Sequence, residues 1–536
     1  MEKDKKQIEK KQSTRHLSLL RLLLALLILG GAAYSIYKGW GRYQEIESAV
    51  SYEPWFASYV DVTSTPTYAF EQLGSSDTSS VVLSFIVSSH TDPCVPTWGA
   101  YYTMEEAAVS LDLDRRIARL QQQGGRVAIS FGGAINDELS VKCTNTGKLL
   151  SAYRSVIERY NIDTIDLDLE NTSLGDPESS ERRAKVIAAL QSERRAKGDY
   201  LAVWLTLPVT PFGLTKDGTD QVAMMLDKGV DLAGVNVMTM NYGESKDPDE
   251  NMLEASKKAL IETHRQLGIL YQQAGINLNN TSLWYKIGAT PMIGQNDFVE
   301  EIFTLNDAEG LNTFGLERGI GRMSMWSANR DRPCGENYVD TKVVSDSCSG
   351  VSSEKNIFGI TLSQGFDGDL TQNAMIFTVE DEDANTPIED DPETSPYPIW
   401  NETGAYPRGT KVVWKGNVYE AKWWTKNDLP DNPVLQSWET PWQLIGPVLP
   451  GEKPVEQPKL PEGFYPEWSG LEIYEQGDRV LFDGMPFEAK WWTQGNSPAA
   501  TIANSENSPW LPLTQKQIIE ILRELEENGN LDREDL

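Results

Sequence analysis

Eight short apolar runs, rich in β-branched residues, alternate between Trp55 and Trp326 with stretches whose apolar residues recur at helical spacing. The runs are Trp55 to Val62, Val81 to Val87, Arg126 to Phe131, Thr164 to Glu170, Leu201 to Leu207, Gly234 to Met240, Trp284 to Ala289 and Arg322 to Trp326. Strand-like runs separated by helical stretches predict parallel strands joined by crossover helices. Eight of them within 51–379 predict an α/β fold, a closed (β/α)8 TIM barrel with its active site where the strands end. A doubly wound open sheet is the alternative, and the lack of a Gly-rich phosphate loop counts against it.

The pattern stops after residue 379. Segment 380–396 is acidic, contains Pro387, Pro392 and Pro396, and reads as a linker. A second, Pro-rich linker spans 447–461 and separates two copies of one pattern, 397–446 and 462–513. The copies align without a gap at an offset of 68, pairing Trp400 with Trp468, Tyr406 with Tyr474, Gly409 with Gly477, Gly416 with Gly484 and Trp442 with Trp510. Within them Glu420-Ala421-Lys422-Trp423-Trp424-Thr425 recurs as Glu488-Ala489-Lys490-Trp491-Trp492-Thr493. Two repeats are too few for a solenoid, so each predicts a small independent all-β module. A module this short, with no cysteine, depends on its aromatics for a core. The stretch 514–536 places Ile518, Ile519, Ile521, Leu522 and Leu525 at helical spacing before an acidic end, predicting an amphipathic helix whose simplest role is to pack on the last module.

The N-terminus has a different character. Lys3, Lys5, Lys6, Lys10, Lys11 and Arg15 lie in the basic tail 1–16, ahead of the apolar segment 17–38, where Arg21 can snorkel towards headgroups. About twenty apolar residues span a bilayer, and a basic flank stays inside. The expectation is a transmembrane signal anchor at 17–38, a spacer at 39–50, and a cell-membrane protein with its bulk outside. Cleavage near Gly31, Ala32 and Ala33, followed by secretion, is the rival reading.

Charge and composition narrow the ligand. The balance of 48 basic against 79 acidic groups gives a net charge of -31, which repels nucleic acid. A neutral ligand is expected, and 16 Trp residues supply flat apolar faces suited to sugar rings. Cys94, Cys143, Cys334 and Cys348 form no CxxC pair and the chain has 3 His, so no metal site and no cofactor are expected. Two disulfides in an exported chain are the better reading, with proximity pairing Cys334 to Cys348 and leaving Cys94 with Cys143. A monomer is expected, although no sequence feature fixes the oligomeric state.

The richest chemistry lies in Asp163-Thr164-Ile165-Asp166-Leu167-Asp168-Leu169-Glu170. Side chains alternate along a strand, so Asp166, Asp168 and Glu170 share one face while Ile165, Leu167 and Leu169 share the other. If the apolar face packs on helices, the acids point into the barrel. Crowded carboxylates cannot all ionise, so at least one pKa rises, which suits a general acid, with Glu170 the natural donor. A charged edge strand or a cluster of hard oxygen ligands for a metal would give the same spacing.

The pattern D-x-x-D-x-D-x-E, as Asp163, Asp166, Asp168 and Glu170, resembles the signature of glycoside hydrolase family 18, the family of many chitinases. Ser130-Phe131-Gly132-Gly133 is similar to its S-x-G-G, Met240-Asn241-Tyr242 to its M-x-Y, and Trp326 to the Trp that floors the central sugar subsite. The resemblance implies retaining, substrate-assisted hydrolysis, in which the substrate's own acetamido oxygen attacks C1. It implies Glu170 as acid and then base, Asp168 as the group that orients the acetamide, Asp166 as the partner sharing its proton, and Tyr242 as donor to the acetamide oxygen. Asp163, Ser130, Gly132, Gly133, Met240, Asn241 and Trp326 are then expected to line the substrate site. The family often carries an acid beside this Tyr, whereas Asn241 precedes it here and Gly243 follows, which leaves the local hydrogen bonding and the pH optimum open.

The repeated A-K-W-W-T strings resemble chitin-binding modules of carbohydrate-binding families 5 and 12, which implies Trp423, Trp424, Trp491 and Trp492 as sugar platforms. Adjacent residues on a strand face opposite ways, so one Trp of each pair should anchor the core unless a turn exposes both. Two weak sites on flexible linkers would raise effective concentration at a repetitive polymer. Chitin or another N-acetylglucosamine polymer is therefore the expected partner, and hydrolysis of its β-1,4 bonds the expected activity. The alternatives are a non-catalytic chitin-binding protein, an endo-β-N-acetylglucosaminidase acting on N-glycans, and peptidoglycan as the ligand.

Overall fold

The computed structural model describes residues 53–72, 80–335, 344–352, 354–370, 389–449, 451–454, 460–461, 463–482, 484–498 and 508–527. The expected anchor at 17–38 lies outside them, and among the described residues no helix is long and apolar enough to cross a membrane.

Eight parallel strands form the central sheet: β1 (Trp55–Asp61), β2 (Ser80–Ser88), β3 (Arg126–Gly132), β4 (Thr164–Asp168), β5 (Ala202–Thr210), β6 (Leu232–Met238), β7 (Ile287–Thr290) and β8 (Arg322–Met325). Each pairs with its successor, and β8 pairs with β1 with Trp55 opposite Arg322, so the ring closes into a TIM barrel. Strand ends shift by up to three residues from the sequence pattern, and two of the shifts change the reading. The fourth run ends as strand at Asp168, so Glu170 leaves the sheet, and Trp284 belongs to the helix Asn280–Tyr285 ahead of β7.

Strand alternation separates two cores. Ile165, Leu167, Val203, Leu205, Val235 and Val237 face the outer helices. Inside, Trp55, Ala57, Tyr59, Val82, Ala128, Ala202, Trp204 and Ala233 fill the barrel, where alanines leave room for the two indoles that meet edge-on at 5.7 Å. The outer layer comprises α1 (Leu113–Gln122), α2 (Thr146–Tyr160), α3 (Pro177–Ala196), α4 (Lys216–Asp227), α5 (Met252–Gln273), α6 (Leu305–Arg318) and α7 (Ile357–Ser363). The start and stop of α6 are written locally. Thr304 and Asp307 exchange side-chain and backbone hydrogen bonds at its start, and Gly319 at φ 76° ends it in the left-handed region.

Disulfides join Cys94 to Cys143 and Cys334 to Cys348. The first links the segment after β2 to the segment after β3, at the end of the barrel where β4 delivers its acids.

Both repeats fold as three antiparallel strands: β9 (Lys411–Trp414), β10 (Asn417–Ala421) and β11 (Trp442–Pro447), then β12 (Arg479–Phe482), β13 (Met485–Ala489) and β14 (Trp510–Pro512). Their cores are largely aromatic, around Trp400, Tyr406, Tyr419 and Trp442 in the first and Tyr474, Phe487 and Trp510 in the second. A helix, α8 (Gln515–Glu527), follows and buries Leu522.

Candidate active site

Strand β4 places Asp166 and Asp168 on the inner face of the barrel, and Glu170 stands just beyond its end, ahead of the short helix Asn171–Gly175. Backbone bonds fix that exit: Glu170 N donates to Ser173 Oγ at 2.9 Å, and Ser173 Oγ donates back to Glu170 O at 2.7 Å. The three acids occupy very different surroundings.

Asp166, fully buried, accepts hydrogen bonds from Tyr59 Oη at 2.8 Å, Ser130 Oγ at 2.8 Å, Thr206 Oγ1 at 2.7 Å and Arg322 Nη1 at 2.6 Å. The Arg322 guanidinium lies among the rings of Trp55, Tyr59 and Trp204 at 5.2, 5.5 and 5.4 Å. Asp168 sits above this anchored pair, and its Oδ1 has no hydrogen-bond partner among the described residues. Burial, then the negative charges of Glu170 and Asp166, push the Asp168 carboxyl well above the ordinary range, and Arg322 opposes them. Glu170 is pushed up to about 6, first by burial and then by the charge of Asp297.

Asp297 answers the departure noted at Asn241. Asn241 Nδ2 donates to Asp297 Oδ2 at 2.6 Å, and Asp297 N donates to Asn241 Oδ1 at 2.9 Å. Asp297, from the loop after β7, is thus clamped to the amide beside Tyr242.

The wall is aromatic and glycine-shaped. Trp326 is half-buried and stacks on Phe85 with ring centroids 5.6 Å apart. Gly132 and Gly133 hold φ of 110° and 86°. A Cβ on Gly132 would run into the Asp168 carbonyl oxygen, and one on Gly133 would press on the Phe85 ring. Without a Cβ at either position, β4 and Phe85 can come close.

Four further expectations meet different surroundings. Tyr242 Oη pairs with Ser256 Oγ on α5 at 3.1 Å, and the ring is buried in the outer core. Beyond β6 the backbone turns at Asn241, φ 52°, so strand alternation no longer governs residue 242. Asp163 precedes β4 at the opposite end of the barrel, where Arg194 Nη2 donates to it at 2.6 Å. Ser130 is fully buried and spent on Asp166. Asp166 is held by four donors including a guanidinium. Met240 and Asn241 are half-buried near the strand ends. The Trp pairs lie past β10 and β13, not on them: Trp423 and Trp424 are half-buried, whereas Trp491 and Trp492 are both exposed. Among the described residues, no cluster of His, Cys, Asp and Glu is arranged to hold a metal ion.

Sequence reading passed over Tyr59, Arg322 and Asp297. For Arg322 a signal existed: Arg322, Ser324 and Trp326 alternate with Met323 and Met325, which puts a cation on an inner face that also carries acids.

Comparison with known proteins agrees with this geometry. The chain is 34% identical over 289 residues to the probable bifunctional chitinase/lysozyme of Escherichia coli (strain K12), covering 53% of this chain and 31% of that protein. It is 32% identical over 285 residues to Endochitinase 11 of Metarhizium anisopliae, covering 52% of each. The chain therefore spans about half, or less, of the length of the curated relatives it matches. The catalytic domain of the hyperthermophilic chitinase from Pyrococcus furiosus superposes with a TM-score of 0.51 at 27% identity, over 61% of this chain and 97% of that one. Residues 467–511 match the model of carbohydrate-binding module family 5/12, so the chain joins a barrel similar to chitinase catalytic domains to a C-terminal module of the family 5/12 kind.

Proposed function

We propose that this chain is a chitinase of the glycoside hydrolase family 18 kind, hydrolysing β-1,4 bonds between N-acetylglucosamine units with retention and substrate assistance. The observation that carries the reading is the inward row of carboxyls ending in Glu170, whose pKa is pushed up to about 6. A carboxyl near that value keeps a proton for the leaving oxygen and, once ionised, can take one from water.

Glu170 protonates the glycosidic oxygen as the bond to C1 breaks. The acetamido carbonyl oxygen of the same sugar closes on C1, so no enzyme carboxylate attacks. Asp168 offers its unpartnered Oδ1 to the acetamide N–H, which turns the carbonyl towards C1. The negative potential of the row favours the oxazolinium cation, and Arg322 keeps Asp166 fixed beneath it. Water activated by Glu170 then opens the oxazolinium. Trp326 offers an apolar face to the sugar that carries the acetamide. No acetamide contact is assigned to Tyr242.

The disulfides suit an oxidising compartment. With the basic tail and apolar segment of the sequence, they support export with the anchor at 17–38 retained in the cell membrane, and secretion after cleavage is the second reading. The carbohydrate-binding family match at 467–511 supports an insoluble polymer over N-glycans.

Reducing ends released from soluble N-acetylglucosamine oligomers by the chain and by Glu170→Gln test the assignment. Cleavage by the unaltered chain only supports it. Binding without cleavage by either would replace the enzyme with a lectin-like protein.

A further inference from the structure

The two copies of the module share a sequence pattern but not an environment. In the second copy Trp491 and Trp492 are 44% and 58% exposed. In the first, Trp424 packs against the core of the second copy, the cluster of Tyr474, Val480, Phe487, Ala489 and Trp510. Its indole Nε1 is buried with no hydrogen-bond partner among the described residues. That leaves the ring little face for a sugar.

The first copy is also seated on the barrel. Arg265 on α5 donates to Val434 O at 2.6 Å and to Leu435 O at 3.0 Å, and Gln266 donates to the same Leu435 carbonyl at 2.9 Å. Glu262 holds Arg265 in place at 2.7 Å. The Leu435 side chain packs on the outer core, and Gln436 reaches Thr219 on α4 at 3.4 Å. Half-buried backbone carbonyls met by a paired guanidinium make a specific seam. At the offset of 68 the seat Val434-Leu435-Gln436 corresponds to Ile502-Ala503-Asn504, so the second copy lacks the leucine.

We propose that the first copy is a rigid bridge and not a second sugar site: Leu435 seats it on the barrel, and Trp424 closes the seam to the second copy. Trp491 and Trp492 then form the polymer-facing platform, held at a fixed orientation to the barrel. This last step rests on the chitin reading above, whereas the bridge does not.

The test uses the full chain, with two readouts: retention on insoluble chitin, and the rate of proteolytic cleavage within 447–461. Trp424→Ala is expected to raise cleavage at least about tenfold by opening the seam, with retention within about twofold. The double variant Trp491→Ala/Trp492→Ala is expected to lower retention at least about tenfold, with cleavage unchanged. Hydrogen exchange over 411–421 reports whether the first copy stays folded. If Trp424→Ala unfolds it, Trp424→Phe and Leu435→Ser carry the test, the first resisting cleavage and the second not. Equal loss of retention in Trp424→Ala and the double variant, with the first copy folded, overturns the bridge, as does unchanged cleavage in Trp424→Ala. Should the unaltered chain not be retained on chitin, the substrate reading fails, and the cleavage rates still decide the bridge.

Discussion

Arg322 Nη1 lies 2.6 Å from Asp166 Oδ1 inside the barrel, with both side chains about 1% exposed. The same guanidinium donates to Tyr59 Oη and to Ser324 Oγ, each at 2.9 Å, so one cation organises the floor beneath the acid row. Removing the guanidinium leaves Asp166 buried with only the neutral donors Tyr59, Ser130 and Thr206. Arg322→Met should therefore lower unfolding free energy by about 3 to 5 kcal/mol. Denaturant titration measures this; a loss below about 1 kcal/mol would mean that water reaches Asp166 and shields it.

On the proposed mechanism, activity depends on the proton of Glu170. With its pKa pushed up to about 6, kcat/KM on soluble oligomers should fall as pH rises through that value. Asp297 is the second cause of the upward shift, so Asp297→Asn should move the limb to lower pH. A limb that stays where it was would remove Asp297 from the account.

Tyr242 gives the opposite kind of prediction. Its hydroxyl is spent on Ser256, so Tyr242→Phe should leave kcat within about twofold and cost about 1 kcal/mol of stability. A hundredfold fall in kcat, about 2.7 kcal/mol of transition-state binding, would return the residue to the acetamide.

At Gly132, any Cβ meets the backbone of Asp168 in a left-handed conformation. Gly132→Ala should cost more than about 2 kcal/mol and reduce kcat as the acid row shifts. Oligomer assays alongside thermal melts check both, and a variant with unaltered kcat would show that β3 can yield without moving Asp168.

The barrel was legible because its signal is local: each strand announces itself over a few residues, and alternation alone puts Asp166 and Asp168 on one face. What meets those acids was not. Tyr59 and Arg322 reach Asp166 across 107 and 156 residues of chain, a separation that no short-range pattern spans. The acetamide role of Tyr242 came from the M-x-Y resemblance, which carries no local geometry: β6 ends at Met238, the chain turns at Asn241, and the Tyr242 hydroxyl pairs with Ser256. For the repeats, identical strings implied identical roles, yet Trp424 and Trp492 differ through neighbours that only the fold brings near.

The seat of Leu435 also bears on how the molecule can be divided. A chain cut at the acidic linker would bare the slot between α4 and α5 and leave Arg265 facing solvent with its two carbonyls gone. Such a fragment would differ from the whole in barrel stability as well as in polymer attachment. A comparison of the two on insoluble substrate would then blend both effects, and point changes at Trp491 and Trp492 offer the cleaner separation.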